Sequence, residues 1–252
     1  MRTLHHVLDW MNGWLVARRP QAPVLSTFGD LSALAALEPG ALHTPPPSAA
    51  ELTFRSVGAR TDRFLFLSAA PSGDAQNDGV HGERWRAKEE TSQAAVIMLH
   101  GGFAQSFAAE KVISQPFLKA GIDVFAMALP WHMGRAPAEA VYSGQYLLSG
   151  DVPRLVRGFA QGAQDAAALA LALRMHGYER VFAGGVSLGG NVAAQLAALI
   201  DLDFVYMLIP AADPFVTLWR TPIGAGIVRA ARRAGFADET VAEAMRLITP
   251  RL

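Results

Sequence analysis

The chain contains no cysteine. That excludes a disulfide framework, a thiolate metal site and a cysteine nucleophile. It leaves the compartment open, with the cytoplasm as the default expectation. Charge is scarce too: 17% of the 252 residues are charged, with 22 Lys plus Arg against 22 Asp plus Glu. A globular protein averages about 25%. No basic stripe calls for nucleic acid, and no acidic tail suggests a solvating segment. Nor does any apolar run approach the roughly 18 residues that a membrane-spanning helix needs. What is abundant is apolar residues, 51% of the chain, enough for one domain with a sizeable core.

The N-terminus, MRTLHHVLDWMNGWLVARRP, is a poor secretion signal. Asp9 and Asn12 interrupt its apolar part, and Arg18 and Arg19 stand where a small-residue cleavage site belongs. Leu4, Leu8, Met11 and Leu15 recur at helical spacing, with Val7, Trp10 and Trp14 beside them. An amphipathic helix packed on the domain is expected, with binding to a membrane surface as the alternative. Residues 1–50 thus divide into this helix and a Pro-rich connection with PPP at 45–47. Residues 51–252 read as one domain.

Within that domain LTFRSVG (52–58) and DRFLFLSA (62–69) predict an antiparallel hairpin turning near Ala59 and Arg60. Residues 71–93 are polar and without period, and predict a long exposed loop. AAVIMLHGG (94–102), DVFAMALP (123–130), RVFAGGVS (180–187) and FVYMLIPAAD (204–213) are short apolar runs. Helical segments lie between them, at 106–120, at 151–176 with Asp151 as N-cap and Pro153 in the first turn, and at 188–200. Such alternation means an α/β fold, a mostly parallel sheet with helices on both faces. No internal repeat is visible.

Two glycine motifs carry chemistry. Gly185-Val186-Ser187-Leu188-Gly189 is G-x-S-x-G, placed after a buried strand and before a helix. So tight a turn strains the serine backbone, and the flanking glycines avoid clashes with it. The hydroxyl is then raised at a helix N-terminus, where unpaired amides favour developing negative charge. The chain holds 23 glycines, so the pattern alone has a high chance rate and a tightly packed βα turn is the bland alternative. The second motif, His100-Gly101-Gly102-Phe103, ends an earlier strand. A glycine loop there can aim an N–H at the oxyanion served by Leu188. Gly102 and Leu188 are the expected donors and Phe103 the rival. His100 is expected to hold the loop.

With HGGF and GGVSLGG in place, the chain from about residue 50 onward resembles an α/β-hydrolase. LPWHMGR (129–135) with GQYLLSGD (144–151) is similar to a narrower bacterial subgroup of abhydrolase-domain-containing proteins. The resemblance implies a serine hydrolase acting on a small-molecule ester or related acyl bond, with no cofactor and no metal. It implies no particular substrate or oligomeric state.

One part of the pattern is missing. In this superfamily the order is serine, acid, histidine, and the histidine serves as the base. Here all seven histidines, at 5, 6, 43, 81, 100, 132 and 176, precede Ser187. The last two strands of the family fold also have no counterpart, so an exposed strand edge is expected. Three expectations stay open: a piece of a longer product, inactive in this form; a degenerate scaffold serving as a binding or interaction module; or a substitute base. His132 is the candidate base, with hydrogen bonding inside its own loop as the alternative. Asp213 is the candidate acid, with helix capping ahead of Pro214 as the alternative. Trp131, Tyr146, Phe215 and Trp219 are candidates for an apolar pocket. Residues 214–248 form a helical, lid-like segment whose arginines are expected to be solvated.

Overall fold

A computed structural model of the chain describes residues 18–24, 29–88 and 92–250. The expected helix spanning Leu4 to Leu15 lies outside them. Among the described residues no helix is long and apolar enough to cross a membrane.

The sheet comprises β1 (Thr53–Gly58), β2 (Thr61–Leu67), β3 (Gly79–Trp85), β4 (Ala94–Leu99), β5 (Asp123–Met127), β6 (Arg180–Val186) and β7 (Phe204–Leu208). Their spatial order is β1-β2-β3-β5-β4-β6-β7. The block β5-β4-β6-β7 is parallel. β2 shares its direction, while β1 and β3 run against it. Every residue of β4 and β5 is buried, as a sheet covered on both faces demands. The predicted hairpin is the β1–β2 pair at one edge. The other edge is β7, which leaves Phe204 57% and Leu208 42% exposed, and Ile209 just beyond it is 82% exposed.

The loop expected at 71–93 is overturned. It contains a helical turn, Ala75–Asp78, capped by the Asp74 carboxylate, which accepts from the Gln76 and Asn77 amides. It then supplies β3, which lies between β2 and β5. The strand was illegible because one of its inward positions is Gly82. A Cβ there would lie 2.2 Å from the Phe64 ring and 2.2 Å from the Ala126 carbonyl oxygen. The apolar group filling that site comes from the neighbouring strand, so β3 carries no alternation of its own. The helical stretch expected at 106–120 is two short helices, Ala108–Ile113 and Gln115–Lys119, meeting at Ser114. Pro116 has no N–H to continue the first.

Two helices position the rest. The long helix, Val152–Met175, starts at Asp151, whose carboxylate accepts from the Arg154 amide, with Pro153 in the first turn. The elbow helix, Leu188–Leu199, packs against it. Residues 214–248 form helices Pro214–Trp219, Ala225–Arg233 and Asp238–Met245. They are tied back by Asn191 Nδ2, which donates to the Ile248 carbonyl at 3.1 Å.

A buried ion pair joins these layers. Arg135 and Asp165, both with fully buried side chains, meet at 2.9 Å. Arg135 also donates to the carbonyls of Asn77 at 2.6 Å and Ala128 at 2.9 Å. Asp165 accepts from Ser68 Oγ at 2.6 Å and the Ala69 amide at 3.0 Å. One pair thus fastens the loop after β5 to the long helix and to the chain leaving β2. Removing one partner strands a buried charge. Asp165→Ala should therefore lower the unfolding free energy by about 3–5 kcal/mol in urea titrations, and a loss below about 1 kcal/mol would show that the pair is not a structural tie.

Candidate active site

The parallel strands deliver their carboxyl ends to one rim, and backbone strain gathers there. Five non-glycine residues have positive φ among the described ones: Phe103 (63°), Trp131 (62°), Met133 (50°), Ser187 (51°) and Ile209 (41°). Phe103 follows β4, Trp131 and Met133 follow β5, Ser187 follows β6 and Ile209 follows β7. Each such conformation costs on the order of 1–3 kcal/mol and persists only where its surroundings over-determine it.

At Ser187 the surroundings do so. Its N–H donates to the Leu208 carbonyl at 3.0 Å, and its carbonyl accepts from the amides of Ala211 at 3.0 Å and Asn191 at 3.1 Å. A Cβ on Gly185 would lie 2.3 Å from the Gly189 carbonyl carbon, and one on Gly189 would lie 2.1 Å from the Leu99 carbonyl oxygen. Both flanking residues must therefore be glycine. The Ser187 side chain is partly buried and makes no cap bond to its helix. Leu188 opens that helix, so its N–H has no intrahelical acceptor.

The HGGF loop lies beside this elbow because Leu99 and Gly185 are register partners. Phe103 N–H, the rival donor, is engaged: it donates to His132 Nε2 at 3.3 Å. His100 is fully buried, with Nδ1 at 2.8 Å from the Gly101 carbonyl and Nε2 accepting from the Leu129 amide at 2.9 Å. His132 is equally buried, with Nδ1 at 2.9 Å from the Pro130 carbonyl. A carbonyl can only accept, so in both rings the proton sits on Nδ1. Burial pushes His132 well below the usual histidine range and His100 down to about 4. Both are neutral at pH 7.

The remaining candidates stand elsewhere on the rim. Asp213 caps the helix Pro214–Trp219, its Oδ1 accepting from the Val216 amide at 2.9 Å. The four aromatics form two stacks, Trp131 with Tyr146 at 6.1 Å and Phe215 with Trp219 at 5.8 Å between ring centres. Asn77, in the stretch expected to be loop, was not anticipated. It is fully buried, and its Oδ1 accepts from the amide of the strained Trp131 at 2.9 Å. No local signal marks it, since its role depends on a partner 54 residues away.

Comparison with known proteins bears on this geometry. A model of the alpha/beta hydrolase family matches residues 96–251. No curated protein matches the sequence. The fold is similar to acetyl xylan esterase 1 from Thermoanaerobacterium sp. JW/SL YS485, with TM-score 0.57 and 17% identity over 92% of this chain and 76% of that one. An acetyl xylan esterase from Paenibacillus sp. R4 gives TM-score 0.54 and 14% identity over 96% and 78% of the two chains. The acylaminoacyl peptidase of Pyrococcus horikoshii gives 0.53 and 14% over 81% and 30%. At these identities the likeness is one of fold.

The buried histidines make stability depend on pH. Their folded pKa lies below the unfolded value of about 6.5, so as pH falls the unfolded chain takes up protons first. Their contribution is complete above about pH 6.5 and is lost on acidification toward the folded value, about 4 for His100. For His100 this amounts to roughly 3 kcal/mol at most. Glu110 and Asp165, pushed up by burial, act in the opposite sense. Urea unfolding between pH 7 and 4.5 isolates the histidine part: His100→Gln should show a shallower acid decline than the parent. Parallel declines would mean that His100 is not held neutral.

Proposed function

The chain belongs to the alpha/beta hydrolase family, and on that premise we propose that it cleaves a carboxylic ester or related acyl bond through an acyl intermediate on Ser187. The observation that carries this reading is the strained elbow, φ 51° at Ser187, wedged by Gly185 and Gly189. A turn that only had to pack would relax. Here the strain holds a hydroxyl at the mouth of a helix N-terminus. In the reaction, Ser187 Oγ attacks the acyl carbon and the carbonyl oxygen takes up negative charge. The amides of Gly102 and Leu188 stabilise it, the alcohol departs, and water releases the acid. This route calls for no cofactor. Two of the three structures named above are esterases, which favours an ester substrate. The helices of residues 214–248, which continue from the loop bonded to the Ser187 backbone, would wall the acyl site like a lid.

The proton is the weak point. A serine hydroxyl needs a base. Among the described residues the Ser187 hydroxyl has no hydrogen-bond partner. His43 pairs with Gln195, His176 packs on Phe54, His81 lies against Gly134, and His100 and His132 have both nitrogens committed. This observation favours a second reading, a non-catalytic module that binds an acyl compound in the same place. We therefore expect Ser187 to be a poorly activated nucleophile in this chain.

Modification by a fluorophosphonate, followed by mass spectrometry, tests both. Slow modification confined to Ser187 and abolished by Ser187→Ala is expected. Rapid stoichiometric modification would show a base at hand and return His132 to candidacy, and no modification after hours would favour the binding module. Gly102→Val tests the oxyanion hole. A Cβ at Gly102 would already lie 2.9 Å from a Leu148 methyl, so the larger valine must displace either that side chain or the loop. Modification should slow about a hundredfold, the scale of losing one donor. An unchanged rate in the folded variant would remove Gly102 from the site.

A further inference from the structure

We propose that His132 is a positioning residue that aims the oxyanion loop, acting as one half of a reciprocal clasp whose other half is His100. The proposal rests on the acyl-Ser187 reading for its catalytic consequence, though not for its geometry. His100 belongs to the HGGF loop and accepts from the Leu129 amide of the loop after β5. His132 belongs to that second loop and accepts from the Phe103 amide of the first. Each ring therefore reaches across to the other loop's backbone. Each is also anchored at Nδ1 to a carbonyl of its own loop, Gly101 for His100 and Pro130 for His132. The anchor fixes the tautomer, and the tautomer leaves the bare Nε2 facing an N–H.

Neighbouring groups keep the rings from turning. The two ring centres lie 4.7 Å apart, and Phe107 lies 6.3 Å from His100. Gly144, at φ +84°, packs its backbone on His132 so closely that a Cβ would fall 2.3 Å from Nε2. The charged or titratable groups facing the pair are Arg135 and, toward His100, His81. Both oppose protonation, which would turn an acceptor into a donor facing an amide and open the clasp.

The consequence is local and directional. Phe103 holds φ 63°, a conformation that its own chain does not favour. The bond to His132 fixes the peptide plane between Gly102 and Phe103. With it, the Phe103 N–H is spent on His132, and Gly102 is left as the loop's donor to the oxyanion. Without it that plane is free to turn, and the Gly102 amide in the preceding peptide loses the anchor that holds it in place. A general base would need the same Nε2 lone pair aimed at Ser187, and here it is given to backbone.

Two variants separate these roles. His132→Leu removes the acceptor, whereas His132→Gln retains an oxygen able to reach the Phe103 amide. Fluorophosphonate modification of Ser187 should slow about tenfold to a hundredfold in His132→Leu, toward the cost of an oxyanion donor, and recover most of its rate in His132→Gln. A parent-like rate in folded His132→Leu would overturn the proposal. So would a His132→Gln variant as slow as His132→Leu, since a base is not replaced by an amide. Hydrogen exchange at the Phe103 amide reads the clasp without any reaction: it should quicken in His132→Leu and stay slow in His132→Gln. If the parent is not modified at all, the acyl-Ser187 reading falls while this exchange pattern still decides the clasp. If His132→Leu does not fold, nitrogen NMR of the parent at pH 7 carries the test. His132 protonated at Nδ1 and bare at Nε2 is expected, and the opposite tautomer would overturn the clasp.

Discussion

The rest of the site depends on one crowded point, where the backbones of β4, β6 and the elbow helix meet. Gly185, Gly189 and the Leu99–His100 peptide approach so closely that no side chain fits between them. Parallel pairing of Leu99 with Gly185 sets the register. That register brings the HGGF loop beside the Ser187 elbow, so the two halves of the candidate site are delivered by one contact. A slip in the pairing would separate them and would also drive a Cβ into occupied space elsewhere, as at Gly184, where the Tyr206 ring lies. The glycines thus act less as sources of flexibility than as absences of volume.

Holding five strained residues on one rim requires a rigid base beneath them. An apolar core alone would supply burial without direction. The buried polar network supplies direction, because hydrogen bonds have preferred geometry. Arg135 and Asp165 pin the loop after β5, and Asn77 receives the Trp131 amide. The two neutral histidines link that loop to the HGGF loop. Most of the groups are fully buried, and each bond is made within the protein. The arrangement is fragile in a particular way: an added proton or a lost partner changes orientation before it changes the packing.

The architecture, the tight elbow at Ser187 and the HGGF loop beside it were legible in sequence. Apolar runs without alternation marked buried parallel strands, and Asp151 with Pro153 marked the start of the long helix. G-x-S-x-G after such a run marked Ser187. The third strand, β3, was not legible, because Gly82 is buried beneath a ring that belongs to β2. Nor was Asn77, whose neighbours in the chain say nothing of Trp131. His132 was legible as a residue of interest but not as a partner of Phe103, since 29 residues separate them.

By itself, then, the sequence determined the fold class, the glycine-flanked elbow at Ser187 and the order of histidines before it. Periodicity and glycine spacing are local properties, and they survive in one dimension. Which amide each histidine nitrogen meets, which carboxylate is buried against Arg135, and which amide of the HGGF loop is bound were decided only in the folded chain. Those outcomes depend on distances across the sheet and on which groups lose water together, and neither quantity exists until the strands have paired.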